Sequence, residues 1–190
     1  MDLTTLHRRT VESWRRYLDG IGPDQWASPT PCTEWDVRAL VNHVVGEDRW
    51  TRPLLQGRTI AEVGDRFDGD LLGDDPVAAA GEAAAEATAA VDELLAGLDT
   101  VHLSYGDEDP GEYVRQLCAD HLIHGWDLAA ATGQDRALDP DLVAEVGDWF
   151  ADREELYRSA GIVGQRAAAG GDPQSDLLAA AGRSPDWSAG

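Results

Sequence analysis

Residues 112–133, EYVRQLCADHLIHGWDLAAATG, decide how the chain is read. At 100° per residue, Val114, Leu117, His121 and Gly125 share one face, and Gly133 suits the left-handed position just beyond a helix C-terminus. The stretch is therefore expected to be a helix over 112–132 with one side in a core. His121, in the middle of that side, reads as a hydrogen-bonded core histidine. Asp120 and His124 stack one turn apart on its flank, with Leu117 and Leu128 beside them. A helix fixes the spacing of two such heads before a cation arrives. The same spacing also describes a surface ion pair, and spacing alone does not choose between the two.

Working outward, Leu3, Leu6, Thr10, Trp14 and Tyr17 recur at helical steps until Gly20, Gly22 and Pro23 end the first helix. Thr33 with Asp36 three residues on resembles a capping box for a second helix over 34–52, with Val37, Leu40, Val41 and Val44 on one face. Residues 57–75 read as a long loop with at most one short turn of helix. Asp75 and Pro76 open an alanine-rich helix running to Leu98. The segment VHLSY, 101–105, alternates weakly and could be extended. Asp139 and Pro140 open a fifth helix with Leu142, Val143, Val146, Trp149, Phe150 and Leu156 as its apolar face. The whole is an all-α bundle over 1–160, with 161–190 as an appendage holding one short helix.

Charge narrows the partners. The chain carries 36 acidic residues against 15 Lys+Arg, all arginine, for a formal net charge of -21. Such a surface repels phosphate backbones and anionic lipid, so nucleic acid and membranes are not expected partners. The N-terminus offers no unbroken apolar run for a signal peptide, and no stretch approaches the ~20 apolar residues of a membrane span. Two cysteines without CxxC spacing make neither a disulfide framework nor a cysteine zinc cluster, which points to a reducing cytoplasm.

Among the five histidines, His7 and His102 lack ligand-like neighbours at helical spacing. His43 lies on the second helix about 60° outside Leu40, at the margin of the core, with Glu47 one turn later. Facing Asp120 and His124, it would complete a set of two histidines and one carboxylate. Catalytic zinc sites use three protein ligands and leave a position open. Iron(II) accepts the same set, and nickel or manganese is compatible with it. Asp127, three residues after His124, can accept its other ring N–H, or else be a surface carboxylate. Cys32 is either a reactive thiol or a small residue packed at a loop-to-helix junction. Trp35 and Trp126 either wall a site or fill a core.

The blocks TPCTEWDVRALVNHVVGEDRW and HLIHGWDLAAATGQ resemble the two signatures of the DinB-like family that includes mycothiol-dependent maleylpyruvate isomerase and mycothiol S-transferases. The closing LLAAAGRSPDW is similar to the end of one actinobacterial subgroup. The resemblance implies a four-helix bundle carrying a divalent metal, zinc first with nickel or iron as alternatives, held by His43, Asp120 and His124. Many relatives have histidine or glutamate at the position of Asp120. It further implies a mycothiol-like thiol, activated on the metal to attack a small electrophile, in an S-transferase or isomerase. Arg49, Arg52 and Arg166 are then candidates for gripping carboxylates of thiol or substrate. A metal-dependent hydrolase with Glu47 as base, and a non-catalytic binding protein, remain as alternatives, and a homodimer is left open.

Overall fold

Four long helices form the body of the molecule, and each begins where its sequence supplies a cap. The computed structural model describes residues 1–189. In α1 (Leu3–Asp19) the Asp2 carboxylate accepts from the Thr5 amide at 2.9 Å. Asp36 caps α2 (Val37–Leu55) through the Ala39 amide at 2.8 Å. Asp75 and Pro76 start α4 (Pro76–Leu94), and Asp109 and Pro110 start α5 (Pro110–Thr132). An Asp followed by Pro works because the carboxylate answers an orphan amide while proline, lacking an N–H, occupies a position that needs none.

Around the bundle the neighbours run α1, α4, α2, α5 and back to α1. The alanine face of α4, Ala80, Ala83, Ala84, Ala87 and Ala90, is buried and brings its neighbours close. At Gly125 a Cβ would stand 3.2 Å from the Tyr17 ring, so glycine lets α5 approach α1. The largest fully buried side chains include Trp14 and Trp126. Truncating either to alanine is expected to cost about 3–5 kcal/mol.

On α5 every residue from 121 to 130 is buried. It is enclosed by α1, α2 and α6 (Pro140–Ala151), and α8 (Pro173–Ala180) packs on α6. The apolar side expected from the sequence is therefore only part of what is covered. The helix ends as expected at Gly133, with φ 72°.

Other boundaries differ from expectation. α2 starts at Val37 because Asp36, not Thr33, is the cap, and it runs through Pro53 to Leu55. The long loop holds the short helix α3 (Ile60–Val63) and is tied to α2 by Asn42, whose amide group bonds Gly69 O at 3.0 Å and the Leu71 amide at 2.8 Å. α4 gives way at Leu95–Gly97 to a 3-10 turn. β1 (Val101–Leu103) and β2 (Gly106–Glu108) form a small antiparallel hairpin, the one sheet among the described residues. The single helix expected after Pro140 is two, α6 and α7 (Glu154–Ser159), with Arg153 between them bonded to Glu112 of α5 at 2.9 Å.

Candidate metal centre

Two helices and one loop converge on this site. His43 comes from α2, Asp120 and His124 from α5, and one ligand atom from each lies within 4.8 Å of the others. Ligands about 2.1 Å from one tetrahedral ion stand about 3.4 Å apart, so the set closes on a cation by side-chain adjustments of about an ångström. Burial lowers the pKa of His43, against the opposing pull of Asp120, and so favours the neutral imidazole that a metal requires.

The loop between α1 and α2 forms one wall. The Thr30 hydroxyl accepts from the Cys32 amide at 3.1 Å and donates to Trp35 O at 2.8 Å. The turn this makes lays the Trp35 ring against His43, centroids 4.6 Å apart, and 6.0 Å from His124. Trp35 therefore lines the site. Trp126 is buried in the core, with Arg136 over its ring at 5.8 Å.

Asp127, fully buried, accepts from His124 Nδ1 at 3.0 Å. An ionised carboxylate only accepts, so Nδ1 carries the proton and Nε2 is left with the lone pair. Cys32 Sγ donates to the same Asp127 oxygen at 3.3 Å, and Arg183 reaches it at 3.0 Å. Burial alone would raise the pKa of Asp127, but the Arg183 charge and the His124 hydrogen bond more than offset it and hold the group below the usual carboxylate range.

Cys32, His124 and Asp127 are also close enough to hold a cation together. The Arg183 guanidinium already sits against that group as its cation, 2.9 Å from Cys32 Sγ. Burial, and then the charge of Asp127, push the Cys32 thiol up to about 12, so it stays protonated. With Arg183 already in that place, the first triad is the better candidate for a metal.

Glu47, one turn beyond His43, is pushed up to about 7 by burial and by the charges of Asp120 and Asp48. His121, three residues before His124, turns the other way and bonds Asp48 of α2 at 3.0 Å. His7 is fully buried and its ring stands edge-on to His121, centroids 5.6 Å apart. Nothing in its sequence position beside Arg8 and Arg9 signalled that burial.

The three arginines considered as anion grips are each held in an ion pair. Arg49 pairs with Glu86 at 2.8 Å and Arg52 with Glu93 at 3.1 Å, both across to α4, and Arg166 pairs with Glu154. The arginine at the centre is Arg183. Its only signal in the sequence was its place in the closing LLAAAGRSPDW block.

A family model described as the mycothiol maleylpyruvate isomerase N-terminal domain matches residues 7–129. The chain belongs to this DinB-like family. It is similar to two proteins of Mycobacterium tuberculosis, one from strain CDC 1551 / Oshkosh and one from strain H37Rv, both named as uncharacterized. Each is 32% identical over 182 residues, covering 93% of this chain and 87% of the relative. No solved structure matches the chain.

Proposed function

We propose that the protein is a divalent-metal-dependent enzyme that uses a small thiol of the mycothiol kind, as an S-transferase or isomerase on an electrophilic substrate. The observation that carries this reading is the convergence of His43, Asp120 and His124 in a chain of this family. Three protein donors would leave a bound zinc, nickel or iron with at least one position for a further ligand.

A cation there supplies positive charge that deprotonates a thiol at neutral pH. The chain's own groups do the rest. Asp127 fixes the His124 tautomer, Trp35 covers one side of the two imidazoles, and Glu47, one turn beyond His43, is the carboxyl placed to take or return a proton. The place of Glu47 on α2, one turn beyond His43, also favours a second reading, a hydrolase in which it would serve as the base for water.

The test is metal content by mass spectrometry after reloading, then rates with mycothiol and monochlorobimane for metal-loaded and metal-free protein. Stoichiometric metal and metal-dependent conjugation are expected. The proposal is falsified if no divalent ion binds stoichiometrically. Metal-dependent ester or amide cleavage without conjugation would replace it by the hydrolase.

A further inference from the structure

The geometry points to Arg183 as a positioning residue of the metal centre, acting through Asp127 on His124; this rests on the metal reading above. Arg183 lies outside residues 7–129, the part matched by the family model, and reaches the bundle only because of how α8 ends. Gly182 adopts φ 78°, and a Cβ there would stand 3.2 Å from the backbone of Gly164. That left-handed, closely packed step turns the chain inward, with the Arg183 amide bonded to Leu178 O at 2.8 Å.

The guanidinium's donors are almost all spoken for. Nε and Nη2 both donate to Asp127, Nη2 also reaches Cys32 Sγ, and Nη1 donates to Ala181 O at 2.9 Å. Only about one of its five N–H groups is left over, which is too few for the bidentate grip an arginine uses on a substrate carboxylate. Its role is therefore inward. The planar fork fixes the orientation of the Asp127 carboxylate, and that carboxylate fixes the ring of His124 with Nδ1–H toward it, which leaves Nε2 with the lone pair a cation needs. Arg183 also balances a charge that is fully buried, which the neutral donors His124 and Cys32 cannot do.

The experiment has one readout that needs no metal. In metal-free protein at pH 8, nitrogen-15 NMR of the imidazoles is expected to show His124 in a single Nδ1–H tautomer, and Arg183→Met to show a mixture. Zinc affinity, measured by competition with a chromophoric chelator, should fall 10–100-fold in Arg183→Met, the range for losing a residue that orients a ligand. Arg183→Lys, which keeps the charge but not the planar fork, should recover only part of it. In an Asp127→Asn background Arg183→Met should cost nothing further, since the effect runs through Asp127. A folded Arg183→Met with the wild-type tautomer and affinity overturns the inference. If that variant does not fold by circular dichroism, Arg183→Gln takes its place, and wild-type tautomer and affinity in it overturn the inference equally. If the wild type binds none of zinc, nickel and iron, the metal reading fails, while the tautomer comparison still decides the role of Arg183.

Discussion

Asp48 of α2 and His121 of α5 meet in a hydrogen bond of 3.0 Å where each side chain is 1% exposed. The bond joins the two helices that supply the candidate ligands. Burial is the largest single effect and would lower the pKa of His121, but the charge and hydrogen bond of Asp48, together with the Asp120 charge, outweigh it and the net shift is upward. A raised histidine stabilises the fold fully below its unfolded value, about 6.5, and that contribution is lost as pH rises through the higher folded value. Asp48→Ala leaves a buried imidazole without its partner and should cost about 3–5 kcal/mol. At roughly 2–4 °C per kcal/mol the melting temperature should drop by about 10 °C, more at pH 6 than at pH 9. A drop of under 2 °C at both pH values would show that the pair does not hold the helices.

Glu47 gives the same sign in a lower window, and here removing the group should stabilise the fold at high pH. Its carboxyl is raised from an ordinary value of 4.5 to about 7, so the folded state holds the proton more tightly than the unfolded one. The metal-free protein should lose stability as pH rises from 4.5 to 7, by about 3 kcal/mol at most. Glu47→Gln removes that loss. The variant should melt above the wild type at pH 8 and level with it at pH 4.5 when both are followed with chelator present. Parallel profiles would mean that Glu47 is ionised throughout.

His121 and His124 stand one turn apart on α5 yet should respond differently to the same change. His124→Gln removes a candidate ligand and should weaken zinc binding by more than the 10–100-fold typical of outer partners. His121→Gln keeps an N–H for Asp48 and should bind zinc within a few-fold of wild type, with a lower melting temperature. Equal loss from both substitutions would count against the assignment of the ligands.

Both thiols should be inert in the native protein. Cys32 and Cys118 are free, and burial is the first cause that pushes each up to about 12. Roughly one part in ten thousand is then thiolate at pH 8. Ellman's reagent at pH 8 should find no fast thiol in native protein and two in guanidinium chloride. A Cys32 that reacts at the rate of a free cysteine is incompatible with its packing against Arg183 and Asp127.

Where the sequence was legible, the physics was local. Apolar residues at three- and four-residue steps placed the four long helices, and aspartate followed by proline placed the starts of α4 and α6. Where it was not, a competing local signal or a distant partner intervened. Thr33 looked like a cap, but the turn through Thr30 and Trp35 puts Asp36 at that position. The apolar face after Pro140 continued past Ala151, yet Glu112 on α5 draws Arg153 in and the helix breaks there. Arg49 and Arg52 looked available until α4 supplied Glu86 and Glu93.

Residues 112–133 by themselves determined that Asp120 and His124 project from one flank of a helix and that His121 does not join them, because 3.6 residues per turn fixes those directions. Asp127 was within reach of His124 for the same reason. Only the tertiary structure decided what those groups meet. His43 arrives from α2, Trp35 from the preceding loop and Arg183 from beyond α8, at separations along the chain that no helical period spans. Burial is equally a property of the packed bundle. It raises the pKa of Glu47, keeps the Cys32 thiol protonated and encloses His7, and all three depend on what the other helices cover.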